Sequence, residues 1–342
     1  TLPINKAPNV TPTPSTSLTG PQGIKAEGYL LGGVQPGSTG SNGRSDSYKL
    51  TYSTETWSSS ATSPARTRKR AGAASNTTAT YVGGGGYGAT NPSVPTGANI
   101  DKLVYATSTI TELPSSNSGG IINRSTDATA AGNQTQGYWT FGTGDQSGCD
   151  KLVYSTETAA ALPNLPWNAK EGLAVSMQTH GYYGAGSGFD DKGSNFVKIT
   201  FANDTYASYS GWSKTPGGPA PGRGGCSSDT KAYICGGDNI GTPGVAFKQV
   251  LDITTWANNT TWNSPSTFMP LGFDKGTGQG SNNEGYFTGG TNNPASGTQK
   301  VTYASDTVAV VPSASFPGGN VSEYATGGPN MNGLGNNVPN VI

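Results

Sequence analysis

The sequence predicts an all-β chain folded as a propeller of small antiparallel sheets. Three observations point there: a glycine-rich yet aromatic composition, the absence of helical periodicity, and a repeat that runs the length of the chain. Of 342 residues, 52 are Gly and 23 Pro, and only 32% are hydrophobic and 12% charged. Ordinary domains have roughly 45–50% and about 25%. Disordered chains share that profile but lack aromatic and β-branched residues. Here 16 Tyr, 9 Phe and 6 Trp lie in short runs with Val and Ile. Gly or Pro interrupts nearly every window long enough for a helix, so short strands between Gly, Asn, Ser and Thr turns are expected.

The repeat has two elements. The first is an aromatic residue followed closely by glycine: Gly28-Tyr29-Leu30-Leu31-Gly32-Gly33, Tyr81-Val82-Gly83-Gly84, Gly137-Tyr138-Trp139-Thr140-Phe141-Gly142, Gly181-Tyr182-Tyr183-Gly184, Tyr233-Ile234-Cys235-Gly236-Gly237 and Gly285-Tyr286-Phe287-Thr288-Gly289-Gly290. The leading tyrosines at 29, 81, 138, 182, 233 and 286 are 52, 57, 44, 51 and 53 residues apart. The second element is clearest as Asp101-Lys102-Leu103-Val104-Tyr105 and Asp150-Lys151-Leu152-Val153-Tyr154-Ser155-Thr156-Glu157-Thr158, with a close copy at Tyr48–Thr56. Degenerate copies are read at Phe196–Phe201, Phe247–Asp252 and Gln299–Ala304. This period matches the ~50-residue kelch repeat, each unit forming a four-stranded blade.

Each element has a place in such a blade. The Tyr-Gly segments are second strands, whose glycines let backbones crowd near the axis. The Asp-Lys-Leu segments are third strands, expected to be buried on both faces by neighbouring blades. Long polar insertions such as Gly86–Asn99 and Gly236–Val245 become loops between strands two and three. Near the end, Asp306–Pro312 reads as a fourth strand, and Gly319–Gly327 resembles the inner strands at Ala71–Asn76 and Glu171–Met177. The expected architecture is therefore a six-bladed kelch-like β-propeller, residues 21–327, with a C-terminal strand closing blade one and leaving no open edge. Seven blades, with Tyr324–Gly328 as a further second strand, is the competing count. Residues 1–20, with Pro at 3, 8, 12 and 14, read as an extended N-terminal arm, and 328–342 as a loose C-terminal tail.

These repeats resemble the kelch-like proteins encoded by marine bacteriophages, especially those of cyanobacteria. Ala73-Ala74-Ser75-Asn76, Tyr81-Val82-Gly83-Gly84 and the Asp-Lys-Leu copies at 101 and 150 carry the resemblance, which spans roughly residues 28–327. Asn195-Phe196-Val197-Lys198 and Phe247-Lys248-Gln249 depart from it. The resemblance implies a phage virion component on capsid, tail or fibre, and no known catalytic site.

The chemistry-bearing residues are few. Lys plus Arg equals Asp plus Glu at 20 each, so no overall field attracts nucleic acid or an anionic membrane. No apolar run reaches the ~18 residues of a membrane span, and Thr1–Lys6 has no apolar run of the secretory-signal kind. His180 is the one histidine. It reads as a loop or inner-rim residue and leaves little room for a triad, a multi-histidine metal centre, or the copper oxidase site of some kelch propellers. Cys149 reads as a small buried hydrophobe. Cys226 and Cys235 would share a hairpin with its turn near Thr230, which leaves a bridge open. The glycine runs at Gly83–Gly88 and Gly184–Gly188 open no helix and lack a P-loop Lys. Asp190-Asp191 and Asp145 lack the spacing of a Ca²⁺ loop. Arg66-Thr67-Arg68-Lys69-Arg70 reads as a solvated connection, or as a docking patch for an acidic capsid or tail surface. No cofactor or metal is expected.

Trp256 and Trp262, with Asn258 and Asn259, form the candidate glycan-facing cluster, against the alternative that repeat aromatics fill the gaps between blades. The functional expectation is a non-enzymatic virion protein with other virion proteins as partners. A carbohydrate-binding adhesin or receptor-binding protein, contacting host surface glycan, is the alternative. Neither nucleic acid nor membrane insertion is expected.

Overall fold

The computed structural model describes residues 27–33, 45–59, 67–68, 71–85, 99–113, 128–140, 147–166, 168, 172–176, 179–184, 195–210, 223–228, 231–236, 251–255, 270, 276–280, 283–289, 297–312, 317 and 325–327. Among them there is no helix. The strands, in chain order, are β1 (Glu27–Leu31), β2 (Ser47–Thr51), β3 (Thr56–Ser59), β4 (Gly72–Ser75), β5 (Ala79–Gly83), β6 (Ile100–Val104), β7 (Thr109–Glu112), β8 (Thr129–Gly132), β9 (Gln136–Thr140), β10 (Cys149–Val153) and β11 (Thr158–Leu162). They continue with β12 (Leu173–Ser176), β13 (His180–Gly184), β14 (Asn195–Thr200), β15 (Thr205–Ser210), β16 (Arg223–Ser227), β17 (Lys231–Gly236), β18 (Leu251–Thr255), β19 (Thr277–Gly280), β20 (Glu284–Thr288), β21 (Thr298–Thr302), β22 (Thr307–Val310) and β23 (Ala325–Gly327).

These strands form antiparallel sheets arranged as a β-propeller. Five sheets have four strands: β23-β1-β2-β3, β4-β5-β6-β7, β8-β9-β10-β11, β12-β13-β14-β15 and β19-β20-β21-β22. Five complete blades thus stand where six were expected. The remaining sheet, β16-β17-β18, has three strands among the described residues. Inner strands touch in the order β23, β4, β8, β12, β16, β19, and β19 touches β23 again. The C-terminal segment does not start a seventh blade. Ala325, Thr326 and Gly327 pair with Leu31, Leu30 and Tyr29 at the inner edge of the first sheet, which joins the two ends of the chain.

Burial falls from axis to periphery. The second strand β5 (Ala-Thr-Tyr-Val-Gly) is buried throughout, the third strand β6 on one face with Lys102 and Val104 half-buried, and the outer strand β7 alternates between exposed and half-buried. The expectation that third strands are buried on both faces is corrected here. The propeller widens outward, and solvent reaches one face of β6. Small inner-strand residues follow from the same geometry. A Cβ on Gly278 would lie 2.4 Å from the Gly225 carbonyl oxygen of the neighbouring inner strand, a collision of backbones. Serines stitch the inner strands together: Ser227 Oγ donates to Ser176 O at 2.8 Å, and Ser176 Oγ to Gly132 O at 3.1 Å.

The glycine that precedes the second-strand tyrosine is a socket between blades. At Gly285 a Cβ would meet Cys226 Sγ of the preceding sheet at 2.2 Å. At Gly28 it would meet Gln279 Oε1 at 2.2 Å and the Tyr52 hydroxyl at 2.4 Å. An inner-strand side chain of one sheet fills a hole in the next, the close packing that interiors require.

In the fifth unit one reading is corrected and one open question is decided. Its third strand β18 is in register with Ile253, which pairs with Tyr233 as Lys102 pairs with Tyr81; it shares Leu251 and Asp252 with the copy read at Phe247–Asp252, and residues 247–250 lie outside the described residues. Pairing along β17 sets the register of β18. In the hairpin β16–β17, Cys226 lies opposite Tyr233, and Cys235 opposite Gly224. The two cysteines are thus two steps out of register, and Cys226 is a free buried thiol. Burial pushes its pKa up to about 12, while the facing Tyr303 hydroxyl pulls the other way.

Candidate functional site

Ion pairs recur on one rim, where the third-to-fourth-strand hairpins meet the preceding sheet. Each hairpin is a four-residue loop that begins with an aromatic residue and ends with a left-handed residue. The left-handed residues are Glu55, Ser108, Glu157, Asp204 and Asp306, with φ between 51 and 56°. Hydroxyl contacts brace the loops, as in Thr54–Thr56 and Thr156–Thr158, both at 2.7 Å. A non-glycine residue pays a steric penalty at positive φ. That backbone turns the side chain back toward the neighbouring sheet.

Two contacts cross each regular seam. The aromatic residue that opens the hairpin stacks on the second-strand tyrosine of the preceding sheet. Tyr81–Tyr154 centroids are 4.6 Å apart, Tyr138–Phe201 5.0 Å, Tyr233–Tyr303 4.9 Å, Tyr29–Tyr105 5.7 Å and Tyr286–Tyr52 5.1 Å. Three residues later the carboxylate reaches the same tyrosine and a lysine. Asp204 accepts from the Tyr138 hydroxyl and, at 2.8 Å, from Lys151 Nζ. Glu157 takes Lys102 and the Tyr81 hydroxyl. Asp306 takes the Tyr233 hydroxyl at 2.8 Å and Lys231 at 2.5 Å. Glu55 takes Lys300 at 2.5 Å. Burial, reinforced by the adjacent carboxylate, raises the pKa of Tyr81, Tyr138, Tyr233 and Tyr286 beyond the ordinary phenol range.

Substitution at one position is matched at another. Ser108 carries no charge, and Glu27 on β1 supplies the carboxylate instead, binding Tyr29 and Lys49, both at 2.8 Å. Lys231 comes from the second strand rather than the third, where the sequence has Ile253 at the lysine step.

The seam between β12–β15 and β16–β18 differs. Lys198 Nζ lies 6.0 Å over the Tyr182 ring, as Lys102 and Lys151 lie 5.7 and 5.9 Å over Tyr81 and Tyr138. Tyr182 packs with Ala232 and Ile234 of the next sheet. No carboxylate among the described residues pairs with Lys198. His180 meets Tyr182 edge-on at 5.2 Å and shares a 2.8 Å hydrogen bond with Thr179 Oγ1. Burial, and secondarily the Lys198 charge, lower its pKa to about 4.

The remaining candidates resolve as follows. Arg68 is buried, not solvated. Its Nε donates to Asp101 at 2.8 Å, and its other nitrogens to the carbonyls of Gly84 at 2.7 Å and Asn99 at 2.9 Å. A run of basic residues suggested a solvated or docking surface, but this side chain turns inward to neutralise the aspartate of the Asp-Lys-Leu triplet. Arg66, Lys69 and Arg70 lie outside the described residues. Cys149 is buried and forms no disulfide. Trp139 is buried and donates its indole N–H to Gly72 O at 3.0 Å, so it belongs to the packing between blades. Trp256, Trp262, Asn258 and Asn259 lie outside the described residues, as do Asp145, Asp190 and Asp191.

By the β17–β18 register, Trp256-Ala257-Asn258-Asn259-Thr260 is the sequence counterpart of Phe201-Ala202-Asn203-Asp204-Thr205. Sequence reasoning missed the rim because the Glu of Ser-Thr-Glu-Thr acts across a seam. Its recurrence three residues after the aromatic was the available signal.

Among the described residues no group of three or more His, Cys, Asp or Glu could hold a metal ion, and no helix is long and apolar enough to cross a membrane. No family model matches the chain, and no curated protein matches its sequence.

Proposed function

We propose that this chain is a non-enzymatic structural protein of a bacteriophage particle, a six-bladed kelch-like propeller displayed on capsid or tail. The β16–β18 sheet would be the inner part of a sixth blade whose outer strand follows residue 255. Residues 1–20 would tether the propeller to other virion proteins. The observation that carries this reading is the recurrence of the phage-type triplets Asp101-Lys102-Leu103 and Asp150-Lys151-Leu152 as third strands of an all-β propeller. The rim chemistry supports it: the carboxylates are engaged in holding blades together rather than poised as an acid–base pair. Mass spectrometry of purified particles tests the proposal. The chain is expected among the virion proteins, and its absence there ends the reading.

The second reading, an adhesin for host surface glycan, rests on Trp256, Trp262, Asn258 and Asn259. Specific glycan-array binding that is lost in Trp256→Ala and Trp262→Ala would support it. A silent array would remove it.

A further inference from the structure

We propose that Lys300 and Glu55 condense to an amide that locks the propeller ring covalently, with Glu284 carrying the proton. The site lies at the closing seam, where the last sheet meets the first. Alternate residues of a strand share a face, so Glu284 and Tyr286 of β20 stand together, and Lys300 lies opposite Tyr286 on β21. Glu55 comes from the β2–β3 hairpin of the first sheet, with its left-handed backbone at φ 52°. Lys300 Nζ meets Glu55 Oε1 at 2.5 Å and Glu284 Oε1 at 3.1 Å. The Tyr286 hydroxyl donates to Glu284 Oε2 at 2.7 Å and lies 3.4 Å from Glu55 Oε1. Two acids therefore bracket one amine, and one phenol touches both acids.

The second acid is the observation that carries the inference. A hairpin carboxylate pairs with the lysine at the seams of Lys102 and Lys151, where the strand step of Glu284 is Ala79 and Gln136. At the closing seam both positions are acids, which is more negative charge than one ammonium needs. A carboxylate placed beside an amine and a second carboxylate can move the proton that amide formation requires. The seam also fixes the reactants. Tyr52 stacks on Tyr286 at 5.1 Å, and the Trp57 indole donates to Thr298 Oγ1 at 3.0 Å. Lys300, Glu55 and Glu284 keep only 22–27% of their side chains in solvent. Well-oriented groups reach effective concentrations on the order of 10⁵–10⁸ M, which offsets the water that opposes condensation.

The chemistry balances within the site. Glu284 takes a proton from the ammonium, and the freed amine attacks Glu55 Cδ. The Nζ–Cδ bond forms and a Cδ–O bond breaks. The oxygen leaves as water with two of the ammonium protons, one of them returned by Glu284, and the third stays on the amide. No oxidant or activated co-reactant enters. The hydrogen bond to Glu55, with that to Glu284, raises the Lys300 pKa against the opposing effect of burial. The reaction therefore draws on a minor neutral form and accumulates slowly. The inference does not depend on the virion reading.

Mass spectrometry makes the test direct. The full chain is purified, incubated at neutral pH, and followed by intact mass under denaturing conditions and by peptide mapping. A species lighter than the sequence by one water, with Glu55 and Lys300 joined in one branched peptide, is expected to accumulate. Lys300→Arg should keep the charge and abolish this species. Glu284→Gln should slow its formation at least about a hundredfold, and Glu27→Gln, at another seam, should leave the rate unchanged. A wild-type mass that stays at the sequence value, a water loss that maps elsewhere, or an unaltered rate in Glu284→Gln overturns the proposal. Should a variant not fold, the mass and the peptide map of the wild type decide the matter alone.

Discussion

The second sheet holds an ion pair very differently from the rim that surrounds it. Arg68 and Asp101 are each about 2% exposed at the side chain, and two backbone carbonyls complete the guanidinium's partners. The rim pairs Lys102–Glu157, Lys151–Asp204, Lys231–Asp306 and Lys300–Glu55 keep 20–34% of each side chain in solvent. Burying charge is costly unless partner and hydrogen bonds are in place, so the interior pair fixes one arrangement of the chain between the first and second sheets. The rim pairs individually contribute little to stability, and their value lies in repetition and in register across each seam. One is a single fastening inside; the others are many weak ones around the edge.

Removing one partner of the interior pair should have the largest effect. Arg68→Met leaves Asp101 buried without its cation and is expected to destabilise the fold by about 3–5 kcal/mol, measured by urea unfolding. The double variant Arg68→Met with Asp101→Leu should recover much of that loss. If the single variant is within ~0.5 kcal/mol of the wild type, the pair is no different from those on the rim and the contrast fails.

The two kinds of charge were unequally legible in the sequence. All six Tyr-Gly strands and five of six third strands could be placed, because aromatic residues and glycines at a ~50-residue period record burial directly. The closing strand could be placed because a lone inner-strand pattern at the C-terminus had no partners of its own. Arg68 could not. A basic run looks solvated, and only the fold brings Asp101, Gly84 and Asn99 to one member of it. The copy at Phe247 was placed by likeness of sequence alone, whereas the register of β18 is set by its pairing with β17.

A titratable group between interior and rim should give an intermediate effect. His180 has a folded pKa of about 4, against an ordinary value of 6.5. Above pH 6.5 the imidazole is neutral whether the chain is folded or not, and its contribution is fully present. Between pH 6.5 and 4 the unfolded chain takes up a proton that the folded one refuses, so stability falls as the solution is acidified. With solvent screening at the rim the loss should be about 1–2 kcal/mol by pH 4, less than the whole shift implies. His180→Gln should flatten this part of the curve. Superimposable wild-type and variant profiles would mean that burial does not hold the imidazole neutral.

The smallest effect should come from a rim acid, and its salt dependence separates the two classes most sharply. Asp204→Asn keeps a residue that tolerates positive φ and a group able to accept from Tyr138, while removing the charge that Lys151 meets at 2.8 Å. The expected loss is about 0.5–1 kcal/mol at low ionic strength, shrinking toward zero near 1 M salt as the Debye length falls to ~3 Å. The Arg68→Met loss should persist at that salt, because ions do not reach a pair with 2% exposure. A salt-insensitive loss at Asp204 would show instead that the neutral hydrogen bond to Tyr138 holds the seam. The carboxylates of the other hairpins would then act through geometry, with charge secondary.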